Sequence, residues 1–469
     1  MPFTPVLALH RVDTRRFELS GLRTGSVRDQ ILRSHELVMA LLHEKIIGPS
    51  SPLLVLGGGV AGVTACLTAS KEGVNSTLVE KRSGAFDTQL NVHTRWLDPV
   101  EYDWPHRHWG QATMHWGWGL YELPYPADSA ARLALRWSTL ASSKYGPHAL
   151  PLPAGHGEIE AYFGSDAREL SLSTTGTGVH TAPWPHARTF GAVVSCIGFS
   201  GEKTSLRSSA GTFEGTKFWS TDTLADSDLG IGASALDPKH VLVSGGGDGA
   251  QQDFLRVLTG QCGRALYLAL GLDGVPGLDL RDVLLADDAG RRYHAWSASG
   301  RPPLQAYREW HDAYEQLAKA VEAHWAVSPP PPVLKDGVDA TWILGGATPS
   351  YCYGLNRLLS LLVAKLHAQA RGRPVQSDLA AATGSKGIIP VMLTDCVVTN
   401  VGPVRHRSCS TACQLRPHRV WVQPVPSAAS PTLLGTFDLL VVRHGVDQLP
   451  LFSGGAPVPE QIVPMQSPA

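Results

Sequence analysis

Two glycine-rich turns constrain the fold of this chain more than any other feature. An apolar run at 53–56 leads into Gly57-Gly58-Gly59-Val60-Ala61-Gly62, and a second run at 241–244 leads into Gly245-Gly246-Gly247-Asp248-Gly249-Ala250. Each is a short predicted strand, a Gly-x-Gly-x-x-Gly/Ala turn and the start of a helix. Such a turn lets the backbone approach a pyrophosphate and directs helix-terminal N–H groups at it. Two turns in one chain predict a protein that brings two dinucleotides together.

The residues around the first turn indicate a nucleotide site. Gly57 permits the tight turn, Gly59 lets the pyrophosphate approach, and Gly62 allows the helix to pack closely on the strand. A strand predicted at 76–80 ends in Glu80, 18 residues beyond Gly62, where a carboxylate can accept hydrogen bonds from the hydroxyls of an adenosine ribose. We therefore predict a first nucleotide site formed by Gly57, Gly58, Gly59, Val60, Ala61, Gly62, Glu80, Lys81 and Arg82, the last two reaching the phosphates.

The second turn leaves two interpretations open. Asp248 places a carboxylate in the loop, which opposes a phosphate unless the side chain points away or caps a helix. A strand predicted at 264–270 ends near Asp273, which offers a ribose ligand. The turn is then either a second dinucleotide site, with Gly245, Gly247 and Ala250 in contact with the ligand, or a strand–helix corner without one.

The composition excludes several classes of protein. At 469 residues the chain is long enough for two or three domains, and its formal net charge of −1 lacks the basic excess of nucleic-acid binders. No apolar run approaches the roughly 20 residues that a membrane-spanning helix needs. The seven cysteines are scattered and odd in number, which indicates a reducing compartment. We expect a cytoplasmic protein with a small-molecule substrate and no nucleic-acid or membrane partner.

The order of these motifs resembles a known family. Cys196-Ile197-Gly198-Phe199 ends a buried strand, the second turn follows, and Arg443-His444-Gly445 ends a strand near the C-terminus. Over residues 50–450 this order is similar to that of flavoproteins with two dinucleotide-binding domains, in particular the flavin-containing monooxygenases and the N-hydroxylating ornithine and lysine monooxygenases. In those proteins an Ala-Thr-Gly turn marks each chain crossing between the domains, and the two segments named here resemble these crossings.

The resemblance implies an α/β fold in which a Rossmann-like FAD-binding domain is joined to a second Rossmann-like, NAD(P)-binding domain. Within residues 1–50, apolar residues at helical spacing from Ser26 to Ile47 predict a helical N-terminal leader that packs on the first nucleotide-binding domain. The resemblance divides the rest of the chain into a first part of the FAD domain (51–200), the second nucleotide-binding domain (201–390) and a β-rich return to the FAD domain (391–469). His444 and Gly445 are then cofactor-binding residues at the second crossing.

The segment 86–125 contains five tryptophans and four histidines. Its rings either line the flavin face or cover the FAD domain, and Arg95 within it is predicted to lie against the cofactor phosphates. His106 and His108 lack the further ligands that a zinc or iron site needs, so no metal is predicted.

The function implied is an FAD-dependent, NAD(P)H-using oxidoreductase, monooxygenase-like, that acts on an unidentified small molecule. Disulfide reductases of this superfamily carry paired cysteines soon after the first βαβ unit, and none lie between Cys66 and Cys196. The alternatives are a nucleotide-binding sensor or partner module without redox turnover, and a flavin oxidase or dehydrogenase. No catalytic residue can be assigned.

Overall fold

Both apolar runs that lead into the glycine turns form inner strands of parallel β-sheets. Their side chains are buried on both faces, the environment in which continuous apolar strands occur. The computed structural model describes residues 4–19, 26–101, 104, 123–145, 151–175, 178–182, 188–198, 201–208, 211–231, 238–275, 283, 304–349, 352–384, 388–403, 417–425, 430–447 and 451–452. Two α/β units are found in these ranges, which confirms the predicted Rossmann-like fold class.

The elements follow one another along the chain as two successive α/β series. The strands are β1 (Arg16–Glu18), β2 (Leu53–Leu56), β3 (Ser76–Glu80), β4 (Trp96–Leu97), β5 (Asp128–Ser129), β6 (Ile159–Phe163), β7 (Ser171–Thr175), β8 (Gly178–Ala182), β9 (Arg188–Phe190), β10 (Ala192–Ser195), β11 (Gly201–Glu202), β12 (Ser205–Ser208), β13 (Gly211–Glu214), β14 (Lys239–Ser244), β15 (Val338–Ile343), β16 (Gln376–Asp378), β17 (Met392–Thr394), β18 (Cys396–Pro403), β19 (His418–Pro424), β20 (Thr432–Phe437), β21 (Leu439–Val442) and β22 (Val446–Asp447). The helices are α1 (Thr4–His10), α2 (Val27–His43), α3 (Val60–Lys71), α4 (Asp87–Leu90), α5 (Ala130–Tyr145), α6 (Asp248–Thr259), α7 (Gly263–Ala269), α8 (Leu304–Trp325), α9 (Gly354–Arg371) and α10 (Leu379–Gly384). In the part of the chain that is described, none of them has both the length and the apolar character of a membrane-spanning helix.

The first unit is built on a parallel sheet with the strand order β1-β10-β2-β3-β6. Helix α2 packs against α3, and Ser26 caps it by accepting a hydrogen bond from Asp29 N at 2.9 Å. The leader at 1–50 is more than helical, because β1 pairs with β10 and forms the edge of the sheet. The N-terminal segment is thus an integral part of the first unit.

The second unit is built on a parallel sheet with the order β16-β17-β15-β14-β21. The second strand of this unit, which pairs with β14, is β15. The prediction of a strand at 264–270 is wrong, because this segment forms helix α7. Short apolar runs do not distinguish a strand from a buried helix. In β15, Trp342 stacks on Phe254 of α6, with ring centroids 5.1 Å apart, and so anchors the strand to the helix of the second turn.

The two units share one topology. In each, the third strand is followed by three antiparallel strands, and the chain then returns as a fourth parallel strand beside the first. The equivalent orders are β6-β3-β2-β10 and β17-β15-β14-β21, with β7–β9 and β18–β20 as the antiparallel insertions. The predicted return to the first domain at 391 is therefore wrong: β17 to β21 complete the second unit, and the boundary lies after Val442.

The chain passes between the units at two adjacent crossings. Strand β11 follows the first unit and pairs antiparallel with β22, which follows the second unit. Beyond β22 the chain returns to the first unit, where the backbone N–H groups of Leu451 and Phe452 donate to Glu18 Oε2 at 2.8 and 3.3 Å. Phe452 is buried in a cluster with apolar side chains of the first sheet. The crossings lie next to 196–199 and 443–445, the two segments singled out in the sequence.

Candidate dinucleotide sites

The first glycine turn has room for a ligand on one side only. A Cβ atom at Gly57, whose φ is +109°, would lie 2.4 Å from the carbonyl oxygen of Cys196, and one at Gly62 would lie 1.8 Å from that of Gly57. A Cβ atom at Gly59 would meet nothing within 4 Å. The turn is thus closed against the sheet and open in front of Gly59, where a pyrophosphate would approach.

Helix α3 begins at this opening. Gly59 is its N-cap residue, and the N–H groups of the first turn have no acceptor within the helix. Ala61 is fixed by Ser34 of α2, whose Oγ donates to its carbonyl oxygen at 2.5 Å. The start of this twelve-residue helix therefore presents N–H groups and the positive end of the helix dipole to the open side.

Glu80 lies beside the turn, as its position in the sequence predicts. Its Oε2 accepts a hydrogen bond from Gly58 N, and its Oε1 accepts one from Arg82 N at 2.7 Å. These two bonds fix the carboxylate at the carboxyl end of β3 and leave lone pairs for ribose hydroxyls. The side chains of Lys81 and Arg82 are exposed at the rim, and Arg82 Nε lies 3.6 Å from the Asp87 carboxylate.

The second glycine turn repeats the geometry of the first. Gly245 has a φ of +134°, and a Cβ atom there would lie 2.1 Å from the carbonyl oxygen of Arg443. Gly247 is the N-cap of α6, and Ala250 is buried in the first turn of that helix. Gly57 and Gly245 are thus equivalent, and each turn packs against the end of the last strand of its own unit.

Asp248 is directed away from the phosphate position of the second turn. Its Oδ1 accepts hydrogen bonds from Tyr353 N at 2.8 Å and from Asn356 Nδ2 at 2.9 Å. These groups lie at the start of α9, where a negative charge is favourable. The Asp248 carboxylate therefore points away from the phosphate position and does not oppose a bound phosphate.

The ribose position of the second unit carries no carboxylate. Strand β15 ends at Ile343 and continues as Leu344-Gly345-Gly346. The expectation that Asp273 binds a ribose is wrong, because Asp273 lies in a short 3₁₀ turn after α7 and not at the end of a sheet strand. Nothing in this stretch of the second unit selects between a ribose hydroxyl and a 2′-phosphate.

Arg95 does not face the first turn. Its Nε donates to the carbonyl oxygen of Phe218 at 2.8 Å, and its two terminal nitrogens pair with the carboxylates of Asp222 and Asp253. The side chain of Arg95 is buried and its nitrogens are paired within the protein. The prediction that Arg95 binds cofactor phosphates is therefore wrong. We call the group to which it belongs the junction cluster, and its members are Arg95, Asp222, Asp253, Arg256 and Arg443.

His444 and Gly445 lie at the second crossing, close to the second turn. The Nε2 atom of His444 lies 2.8 Å from Oγ of Ser244, the last residue of β14 before that turn. A Cβ atom at Gly445 would meet nothing within 4 Å. The structure therefore brings His444 beside the second turn, whereas it places Arg443, its neighbour, in the junction cluster.

The described cysteines are unsuited to dithiol chemistry. All five are free thiols, and burial raises the pKa of Cys66, Cys262 and Cys396 to about 12. A thiol with so high a pKa carries almost no thiolate at neutral pH, and thiolate is the reactive form. Cys409 and Cys413, as well as His106, His108 and half of the tryptophan-rich segment, lie outside the described residues.

Glu101 is a buried carboxyl group with a raised pKa that the sequence patterns did not predict. Its side chain is buried, and a Cβ atom at Gly263 of the second unit would lie 2.8 Å from its Cδ. Burial and the nearby charges of Asp98 and Asp248 raise the pKa of its carboxyl group to about 8. Glu101 therefore carries a proton at neutral pH, and its burial is the largest cause of the raised pKa.

Comparisons with known proteins return only solved structures of low sequence identity and low TM-score. No protein-family model matches the chain, and a search of curated proteins returns no match. Similar solved structures include T. acidophilum thioredoxin reductase (11% identity, 84% of this chain and 77% of that chain, TM-score 0.35) and the bacillithiol disulfide reductase Bdr (YpdA) from Staphylococcus aureus (9%, 84% and 76%, TM-score 0.36). Lactococcus lactis thioredoxin reductase is a further one (10%, 85% and 78%, TM-score 0.33). The class of the chain rests on its own topology: two Rossmann-like units joined by two crossings.

The two glycines that flank Val60 and Ala61 provide a matched test of the first site. Gly59→Ala is expected to fold normally, because the φ of Gly59 is −75° and no atom lies within 4 Å of the new methyl group. Its FAD affinity should fall at least about tenfold, since the methyl group displaces a charged phosphate from its N–H donors. Gly62→Ala should instead prevent correct folding. Thermal unfolding and FAD titration measure both effects, and wild-type FAD affinity in Gly59→Ala would contradict the site.

The protonated state of Glu101 predicts a pH dependence of stability. The pKa of its carboxyl group is about 8 in the folded protein and near the ordinary 4.5 in the unfolded chain, so folding takes up a proton between these values. Its contribution to the free energy of unfolding should therefore decrease as the pH rises through this window, by at most about 1.4 kcal/mol per pH unit. Glu101→Gln should abolish this component, which urea unfolding at a series of pH values measures.

The control for that comparison is Glu72→Gln, which removes an exposed carboxyl group. The difference in unfolding free energy between wild type and Glu101→Gln should become smaller or change sign from about pH 4.5 to about pH 8. A wild-type-minus-variant difference that stays constant over this range would show that folding leaves the pKa of Glu101 unchanged.

Proposed function

We propose that this protein is an FAD-dependent oxidoreductase that takes electrons from NAD(P)H. The first unit binds FAD and the second binds NAD(P)H. The observation that carries the proposal is the repeated arrangement in which a glycine turn at the carboxyl end of a parallel sheet begins a helix next to a chain crossing. One such unit suffices for nucleotide binding, whereas two joined units suit electron transfer between two nucleotides.

The residues of the first turn fit the pyrophosphate and ribose of FAD. The space in front of Gly59 admits a phosphate, and the N–H groups at the start of α3 would bind it. Glu80 is already oriented by Gly58 N and would accept hydrogen bonds from the ribose hydroxyls. Lys81 and Arg82 at the rim would add positive charge near the phosphates.

The residues of the second turn fit the pyrophosphate of NAD(P)H. Gly247 begins α6, and Asp248 is turned towards α9, so the N–H groups at the helix start face an approaching anion without a competing carboxylate. Trp342 supports the turn by donating from Nε1 to the carbonyl oxygen of Gly245 at 2.6 Å. The end of β15 provides no ribose ligand, which leaves both NADH and NADPH as donors.

The chemistry follows from the cofactor and the protein separately. FAD, when bound, supplies the capacity to accept a hydride from reduced nicotinamide and to pass electrons on. The chain itself binds and orients the two nucleotides through the turns and holds the units together through the junction cluster.

A disulfide is not the electron acceptor that the described residues favour. The similar solved structures include thioredoxin reductases and a bacillithiol disulfide reductase, yet the described thiols of this chain form no pair and have raised pKa values where a shift is found. Because the order of the turns and crossings resembles that of the flavin-containing monooxygenases, we propose oxygen together with a small-molecule substrate as the acceptor, that is, a monooxygenase-like reaction.

A second candidate is a nucleotide-binding sensor without redox turnover. It is favoured by the absence of a ribose-binding carboxylate in the described stretch after β15 and by the engagement of Arg443 in the junction cluster. In that case the second turn would be a strand–helix corner of the fold.

Reduction of the bound flavin tests the proposed function. The purified protein should take up FAD and show the visible absorbance of a flavin, and NADH or NADPH should bleach it under anaerobic conditions. Air should restore the colour, and disulfide substrates should not. A colourless protein that does not take up FAD would refute the proposal, whereas FAD binding without bleaching by either donor would favour the sensor.

A further inference from the structure

The junction cluster is centred on the carboxylate of Asp253. This carboxylate is fully buried and accepts hydrogen bonds from Nη1 of Arg95, from Nε of Arg443 at 2.8 Å and from Nη1 of Arg256 at 3.1 Å. Asp222 completes the cluster by pairing with Arg95 and Arg256 at 2.9 and 2.6 Å. Three guanidinium groups thus share two carboxylates in a buried volume.

The charge distribution makes Asp253 the least replaceable member. Burial by itself opposes ionisation, but the positive charges of Arg95, Arg443 and Arg256 outweigh it and hold the pKa of this carboxyl group below its usual value. Loss of one partner from a buried ion pair is strongly destabilising, because the remaining charge stays buried without compensation. Without the charge of Asp253, three guanidinium groups would share one carboxylate.

The members of the cluster come from parts of the chain that carry the two sites. Arg95 belongs to the first unit and follows its glycine turn, whereas Asp253 lies on α6, the helix that begins at the second turn. Arg443 begins the second crossing, and its carbonyl oxygen is the group against which Gly245 packs. The Arg95–Asp253 ion pair therefore links the segment after the first site to the helix of the second.

Phe218 extends this link to the second turn itself. Its ring lies under the guanidinium group of Arg95 at 3.9 Å, and a Cβ atom at Gly249 would lie 3.2 Å from its edge. Arg95 and the second turn thus contact the same ring, and Glu202 fixes the backbone of this segment by accepting hydrogen bonds from Phe218 N and Trp219 N.

We propose that Asp253 is a positioning residue for transfer between the two nucleotide sites: it fixes α6, and with it the second turn, relative to the first unit. The inference rests on the proposed function. In the transfer, NAD(P)H loses a hydride, one proton with two electrons, and becomes NAD(P)⁺, while FAD gains them. Such a step depends steeply on geometry, and a displacement of about 1 Å can lower a rate about a hundredfold.

Asp339 provides a matched control in the same unit. It is a largely buried carboxylate at the start of β15, at the opposite end of the sheet from the turn, and it pairs with Arg373 and with Nε2 of His367 at 2.8 Å. Asp339→Asn should therefore destabilise the second unit as Asp253→Asn does, but without an effect on how the second turn is placed.

The test compares Asp253→Asn, Asp339→Asn and wild type after loading with FAD. We expect the flavin reduction rate at saturating NAD(P)H to fall at least about tenfold in Asp253→Asn, with the dissociation constants of both nucleotides changed less than about threefold. In the same variant, the charge-transfer absorbance of nicotinamide on flavin should weaken together with the reduction rate. Asp339→Asn should lose melting temperature but keep the rate and the absorbance.

A wild-type reduction rate in Asp253→Asn, or an equal loss in Asp339→Asn, would overturn the inference. Failure of the proposed function is distinguishable, because the flavin of the wild type would then not be reduced by either donor. If Asp253→Asn does not fold, Arg443→Lys serves as the second variant. This variant keeps the positive charge but cannot bind Asp253 and the carbonyl oxygen of Thr216 together. The same loss of the flavin reduction rate is therefore expected, and an unchanged rate overturns the inference.

Discussion

The relation between the two halves of this molecule depends on one buried carboxylate that three arginines share. A buried ion cluster adds little net stability, because the free energy of desolvating the charges offsets much of their attraction. Its effect is on geometry instead, since each charge has its partners in only one arrangement of the surrounding elements. In the junction cluster these elements are the segment after the first turn, the segment that connects the units, helix α6 and the second crossing.

The duplicated architecture explains why each glycine turn lies where the chain leaves its unit. In both units the fourth strand is added next to the first, so its end lies beside the turn, and Gly57 and Gly245 contact the carbonyl oxygens of Cys196 and Arg443. The crossing and the nucleotide site are therefore one packing unit. This also accounts for the unusual Arg443, whose backbone supports a turn while its side chain reaches the junction cluster.

Features encoded in a few neighbouring residues could be predicted from the sequence. The two turns, the placement of Glu80, helix α2 and the positions of the crossings belong to this group, because a strand, glycines at fixed spacing and a helix determine them locally. Features that depend on distant partners could not. Strand β14 pairs with β15, which lies nearly a hundred residues later in the chain. The apolar run of α7 is compatible with a strand as well as with a helix. Arg95 and Glu101 acquire their roles only from the packing of one unit on the other.

The pairing of β11 with β22 has a consequence for how such a protein can arise. It places the entry and the exit of the second unit side by side, with Gly201 opposite Asp447. A complete unit whose ends meet in this way can be inserted into a surface loop of another protein without separating the strands of its host, since domain insertion is tolerated where chain ends lie close together. The second unit is thus an insertion into the first unit at a single point, where its entry and its exit pair with each other.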